Sequence, residues 1–214
     1  MKTHIKFCGL VRPGDVDDAV EIGADAIGFV FYRKSPRALS PEDAAVLRRR
    51  LPSFVSAVGL FVDSPREEVE ATASRVGLDV LQLHGDETPD LGATIAAGCG
   101  LPWWKAIRMR AETDLLSSSR SFGAAECLVL DAFSDGYGGS GRTFDWSWIP
   151  DGLPARIVLS GGLDAGSVAE AIGRVRPFAV DVSSGIQGSD PRTKDRTRME
   201  RFVAAVLSAD ADRP

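Results

Sequence analysis

A thiol, a carboxyl and two glycine-rich turns are the groups in this chain best suited to chemistry, and each follows an apolar run. Cys8 stands beside Gly9 at the end of the first run. There a thiolate accessible near neutral pH can act as base or nucleophile. Asp131 closes the run Cys127-Leu128-Val129-Leu130. A carboxyl emerging from such an apolar wall is pushed toward its protonated form, which suits a proton donor. Further on, one run breaks into Ser160-Gly161-Gly162-Leu163 and the next into Ser183-Ser184-Gly185. Glycine permits the close approach and dihedrals that expose backbone N–H groups to an oxyanion. Placed side by side, Gly161, Gly162, Ser183 and Ser184 would form a phosphate grip.

Other polar residues close the remaining runs. The second leads to Ser35-Pro36-Arg37, the third ends near Asp63, the fourth in Gln82-Leu83-His84-Gly85, the fifth gives Lys105 and Arg108, and Asp181 precedes the second grip turn. Arg37 could hold a planar carboxylate through two hydrogen bonds, although residue type alone favours a surface arginine. His84 could orient a substrate or shuttle a proton, or serve a structural hydrogen bond. With two histidines and no His/Asp/Glu cluster at ligand spacing, no metal site is expected. Cys99 and Cys127 read as small buried hydrophobes, and Trp103-Trp104 and Phe144-Asp145-Trp146 as packing.

These residues converge only if their elements do. Short β-rich runs begin near Ile5, Ala26, Ser56, Val80, Trp103, Cys127, Ile157 and Ala179, at the spacing of a βα unit. Helical segments are expected over Asp15 to Ile22, Pro41 to Arg50, Pro65 to Val76, Pro89 to Ala97, Ala165 to Ile172 and Asp195 to Leu207. Ser40-Pro41 and Ser64-Pro65 place a capping residue before proline at the first helical position. The glycine-rich, aromatic stretch from Asp131 to Pro150 predicts a short or irregular sixth helix. Eight such repeats require a parallel sheet covered by helices, and eight suit a single closed (β/α)8 barrel over residues 1–214 better than an open doubly wound sheet. No Gly-x-Gly-x-x-Gly turn follows the first strand, and Gly138-Gly139-Ser140-Gly141 lacks the lysine of a P-loop, so no nucleotide cofactor is indicated. In such a barrel the strand C-terminal ends share one mouth, and the loops after strands seven and eight are a usual phosphate site.

Composition agrees with small-molecule chemistry. The chain has 214 residues, 44% hydrophobic and 26% charged, enough for a proper core. A formal net charge of -5 with dispersed basic residues predicts no nucleic-acid or anionic-membrane partner. Met1-Lys2-Thr3-His4 enters a short apolar segment without a cleavable signal pattern, and no run is long enough to span a bilayer, so a cytoplasmic protein is expected. Three cysteines without paired spacing predict reduced thiols rather than disulfides or zinc.

Taken in order, the strand ends resemble the phosphoribosylanthranilate isomerase family over nearly the full chain. The segments are Lys6-Phe7-Cys8-Gly9-Leu10, Gly23 through Phe31, Ser35-Pro36-Arg37, Val80 through Gly85, Leu130-Asp131, Gly138 through Trp146, Leu159 through Leu163 and Val180 through Gly185. The resemblance implies a cofactor-free, metal-free Amadori rearrangement of a small-molecule substrate, phosphoribosylanthranilate, in tryptophan biosynthesis. By position it implies Cys8 as general base and Asp131 as general acid. It further implies Arg37 on the anthranilate carboxylate, Gln82, His84 and Asp181 lining the substrate, and Gly161, Gly162, Ser183 and Ser184 on the phosphate. The chain departs from the family pattern at Gly185-Ile186-Gln187 and Asp190-Pro191-Arg192-Thr193-Lys194-Asp195, where an acidic residue and a turn glycine are usual. Fold and grip alone leave open another sugar-phosphate enzyme, such as an epimerase, indole-glycerol-phosphate synthase or the histidine-pathway Amadori isomerase, or a non-catalytic phosphometabolite-binding barrel.

Overall fold

Eight short strands pair in parallel, each with the next, and the last closes on the first. A computed structural model describes residues 2–111, 113–133 and 143–212. The strands are β1 His4–Cys8, β2 Ala26–Val30, β3 Ser56–Phe61, β4 Val80–Leu83, β5 Trp103–Met109, β6 Cys127–Ala132, β7 Arg156–Leu159 and β8 Ala179–Val182. The helices are α1 Pro13–Ile22, α2 Pro41–Arg48, α3 Arg66–Val76, α4 Pro89–Cys99, α5 Leu115–Ser121, α6 Val168–Val175 and α7 Arg196–Ala211. The expected barrel is the barrel observed. No helix among the described residues is long and apolar enough to cross a membrane.

Local chemistry sets the helix ends. The Ser40 and Thr88 hydroxyls accept from the N–H groups of Asp43 and Leu91, capping α2 and α4 ahead of Pro41 and Pro89. Gly23, Gly77 and Gly100 end α1, α3 and α4 in the left-handed conformation. Ser64 does not cap: Pro65 itself occupies the cap position of α3, with no side-chain hydrogen bond. Between β6 and β7 the described residues carry one 3-10 turn, Trp146–Trp148, in place of a regular helix. The Gly138 to Gly141 motif lies outside the described residues.

The alternation of side chains along a strand then divides the barrel interior. Ala26, Val58, Val80, Trp104, Ala106, Cys127, Val129, Val158 and Ala179 form one apolar cluster, distinct from the larger core. The residues two positions further along several of these strands are Gly28, Gln82, Arg108, Asp131 and Asp181. One face of each strand is therefore apolar toward its N-terminal end and polar or open toward its C-terminal end. The apolar plug makes a floor, and the polar groups stand on it at the mouth.

Candidate active site

Lys6 and Cys8 share a face of β1. The register sets Lys6 against Asp181 on β8 and Cys8 against Gly28 on β2. Lys6 Nζ donates to Asp181 Oδ1 at 2.9 Å with both residues buried, and Ser160 Oγ donates to Asp181 Oδ2 at 3.4 Å. A Cβ on Gly28 would lie 2.9 Å from Cys8 Sγ and 3.1 Å from Lys6 Nζ, so the missing side chain of β2 is what makes room for thiol and ammonium together. Burial would lower the Lys6 pKa, but Asp181 and the Cys8 sulfur outweigh it and hold the ammonium charged. Burial raises the Cys8 pKa above its ordinary value; Lys6 and Lys194 oppose it and Asp181 adds to it. The net rise favours the thiol over the thiolate that the strand-end position suggests, with two cations working against it.

Gly9 adopts φ +72°, and a Cβ there would collide with Arg37 Cδ, so the arginine stem lies over the turn beside Cys8. Arg37 is buried rather than at the surface that its residue type favours. Its Nη2 donates to Gln187 Oε1 at 2.5 Å, and its buried Nε has no hydrogen-bond partner among the described residues. Burial lowers its pKa and the Cys8 sulfur counters this. Lys194, also buried, donates from Nζ to Ser183 O at 2.8 Å and to Ser183 Oγ at 3.2 Å. Burial and the like charge of Arg37 push Lys194 down to about 7, against Cys8, Asp181 and Asp15.

Across the mouth, Gln82 Nε2 stands 3.0 Å from His84 Nδ1 and His84 Nε2 stands 3.2 Å from Asp131 Oδ2, all three residues buried. With the amide donating to Nδ1, the neutral imidazole carries its proton on Nε2 and donates it to Asp131. The turn after His84 is fixed beneath. Lys105 Nζ donates to Gly85 O at 2.6 Å and to Glu87 Oε2 at 2.7 Å, while Glu87 Oε1 accepts from Asp63 N and Gly85 N.

The two glycine-rich turns meet. A Cβ on Gly185 would overlap Leu163 O, and one on Gly161, at φ +83°, would strike Ala132 N and approach Asp131 Oδ1 at 3.1 Å. Among the described residues, the N–H groups of Gly161, Gly162, Ser183 and Ser184 donate to no backbone carbonyl. The two turns thus run from Asp131 on β6, past Asp181, to Lys194. Among the described residues no group of three or more His, Cys, Asp or Glu could hold a metal ion.

Cys8, Arg37, Gln82, His84, Asp131, Gly161, Gly162, Asp181, Ser183 and Ser184 all stand at or just beyond the C-terminal ends of strands of the one barrel. Lys6 and Lys194 were not singled out. Lys6 had a signal, since a lysine inside an otherwise apolar parallel strand must find a buried anion, and it shares strand parity with Cys8. Lys194 had none, because only the fold of the 187–194 segment turns it inward.

Comparison with known proteins meets this geometry over its whole length. A family model described as N-(5'-phosphoribosyl)anthranilate (PRA) isomerase matches residues 5–205, from β1 into α7. N-(5'-phosphoribosyl)anthranilate isomerase of Ralstonia nicotianae is 51% identical over 219 residues, covering 98% of this chain and 95% of the relative. The enzyme of that name from Methylibium petroleiphilum is 50% identical, covering 99% and 97%. Phosphoribosyl anthranilate isomerase from Thermotoga maritima superimposes with a TM-score of 0.85 at 41% identity, covering 96% of this chain and 99% of that one. A phosphoribosyl anthranilate isomerase solved with reduced 1-(o-carboxyphenylamino)-1-deoxyribulose 5-phosphate gives 0.82 at 38% identity, covering 96% and 99%. An agreement that runs unbroken through all eight strands, at half identity in sequence, leaves one assignment: the chain belongs to the N-(5'-phosphoribosyl)anthranilate isomerase family.

Proposed function

We propose that this barrel converts N-(5'-phosphoribosyl)anthranilate to 1-(o-carboxyphenylamino)-1-deoxyribulose 5-phosphate, the isomerisation step of tryptophan biosynthesis, with Cys8 as general base and Asp131 as general acid. The observation that carries the assignment of the base is the setting of Cys8. Of the three cysteines it alone ends a strand at the mouth, and the cations Lys6, Arg37 and Lys194 surround it.

Asp131 protonates the ribose ring oxygen as the C1–O bond breaks, and the electron pair of that bond stays on the oxygen. The nitrogen lone pair completes a C1=N Schiff base. The Cys8 thiolate then takes the proton from C2, and those electrons form the C1=C2 bond of an enolamine, which tautomerises to the ketone. The steps exchange protons and relocate electrons within one molecule, so they call for no external oxidant or reductant. His84 Nε2–H holds the Asp131 carboxyl in place, and Gln82 fixes the tautomer that lets it do so. Asp181 keeps Lys6 charged beneath the sulfur. Gly161, Gly162, Ser183 and Ser184 grip the phosphate through backbone N–H groups, and Arg37 takes the anthranilate carboxylate. Anchoring both ends fixes C1 and C2 between acid and base.

Loss of substrate fluorescence with purified protein tests the reaction. Cys8→Ala and Asp131→Asn should each lower kcat by at least about a thousandfold, while the reduced product analogue still binds. Wild-type-like turnover by either variant removes that residue from its role.

A further inference from the structure

Lys194 touches several parts of the mouth at once. Its backbone N–H donates to Asp15 Oδ2 at 3.1 Å in the first turn of α1, and its backbone bridges Gln187 in antiparallel fashion. Its Nζ donates to Ser183 O at 2.8 Å and to Ser183 Oγ at 3.2 Å. Ser183 also opens the turn whose own N–H groups, with that of Ser184, donate to no backbone carbonyl among the described residues. Cys8 is close enough that the thiol and the amine affect each other's ionisation.

Nothing in direct contact fixes the charge of this amine. The Ser183 carbonyl accepts from it in either form, and the hydroxyl can accept from an ammonium or donate to a neutral amine. Among the described residues no carboxylate lies within ion-pair distance of Nζ, in contrast to Lys6 and Lys105, which are buried against Asp181 and Glu87. The charges that face it from neighbouring elements pull both ways. Arg37, after β2, disfavours the ammonium, while Cys8 on β1, Asp181 on β8 and Asp15 on α1 favour it. Burial tips the balance toward the neutral amine, which falls to about 7. A group poised in this way answers to the next charge brought near it. A phosphate dianion on the N–H groups of Ser183 and Ser184 is held by the same residue whose oxygens hold Nζ, and it favours the ammonium. A cation beside a thiol in turn favours the thiolate. The dianion also acts on the sulfur directly and in the opposite sense, so the sign of its net effect on Cys8 reports whether Lys194 relays it.

We infer that Lys194 is a positioning residue that links the phosphate grip to the base: phosphate seated on the Ser183 and Ser184 turn holds Lys194 as the ammonium, and that ammonium stabilises the Cys8 thiolate. The base is then made ready by the unreactive end of the substrate. The proton that Lys194 gains and the one that Cys8 gives up are both exchanged with water. The inference rests on the readings of Cys8 as base and of Ser183 and Ser184 as phosphate ligands.

Inorganic phosphate is the probe, since it can fill the grip and leave the rest of the mouth open. Lys194→Gln keeps a donor for the Ser183 carbonyl and can never carry the charge. In wild type, saturating phosphate should move the pH midpoint for alkylation of Cys8 by iodoacetamide toward acid by about half a unit or more. In Lys194→Gln the midpoint should stay in place or move toward alkali. A second measurement isolates the first half of the relay. In a Cys8→Ala background, calorimetry at pH 8 in two buffers of different ionisation enthalpy should show phosphate binding with uptake of roughly half a proton or more beyond that of Cys8→Ala/Lys194→Gln. A wild-type midpoint that stays in place or moves toward alkali overturns the inference, and so does equal proton uptake by the two calorimetric variants. Should Lys194→Gln disturb the turn, the wild-type midpoint still decides. If phosphate fails to displace reduced 1-(o-carboxyphenylamino)-1-deoxyribulose 5-phosphate from wild type, the grip reading itself is wrong; displacement without a shift condemns the relay alone.

Discussion

A single ammonium decides how much of Cys8 is available as a base. Burial pushes the thiol up, and Lys6 is the largest influence bringing it down. Removing that positive charge leaves the thiolate less stabilised, so the pKa of Cys8 must rise further. The ascending limb of kcat/KM against pH should therefore move by about one unit or more toward alkaline pH in Lys6→Gln, and the pH midpoint for alkylation of Cys8 by iodoacetamide should move with it. A limb that stays in place would detach Lys6 from the base. The variant should also lose stability, by about 3–5 kcal/mol if Asp181 is left as an unpaired buried charge, so alkylation is to be read on the folded fraction. This pair shows which residues a sequence reveals. Cys8, Asp131 and the glycine turns announce themselves by residue type at a strand end, whereas Lys6 and Asp181 are 175 residues apart and become one group only when β8 closes on β1. Arg37 reads as a surface arginine by type, and it is the left-handed Gly9 turn that buries its stem.

Elements were legible to the degree that their periodicity was strong. Each strand begins within a residue of the apolar run that signals it, because a strand buried on both faces is apolar except where it carries a paired or mouth-facing polar residue such as Lys6, Lys105 or Asp131. Helix α5 left no such trace: Leu115-Leu116-Ser117-Ser118-Ser119-Arg120-Ser121 has little apolar repeat, and its capping residue, Asp114, is the one clear mark. Between elements, packing outweighs propensity at Gly92. Alanine there gains roughly 1 kcal/mol of intrinsic helix preference. Its Cβ would nevertheless sit 2.5 Å from the ring of buried Trp103, where α4 lies against β5. Overpacking of this kind costs about 1–3 kcal/mol, so Gly92→Ala should lower the urea midpoint, and a raised midpoint would show that the indole has room to yield. The segment between β8 and α7 makes a milder prediction. Arg192 is exposed, and its bonds to the carbonyls of Pro36 and Ala38 compete with water, so Arg192→Ala should weaken the reduced product analogue by only about twofold to fivefold. A loss beyond about tenfold would make this backbone contact the principal hold on the loop that carries Arg37.

For the molecule as a whole, the barrel has gathered charge into its interior that the chain alone would keep in water. Lys6 with Asp181 and Lys105 with Glu87 are buried as pairs. Lys194 is buried beside carbonyl and hydroxyl oxygens, and it carries the consequence for stability against pH. Its pKa falls to about 7 in the folded protein from an ordinary value of 10.5. Between those two values the unfolded chain binds the proton and the folded barrel does not. Where the unfolded state holds more protons, stability rises with pH. The penalty of a buried ammonium is thus fully present below about pH 7 and is relieved progressively toward pH 10.5. Methionine at this position carries no such penalty at any pH. Urea unfolding of wild type and Lys194→Met should therefore show the wild type gaining on the variant between pH 7 and pH 9. A difference between the two that stays flat over that interval would mean that Lys194 is held as an ion by Cys8, Asp181 and Asp15 together. In that case the mouth would keep its full positive charge for anions well into the alkaline range.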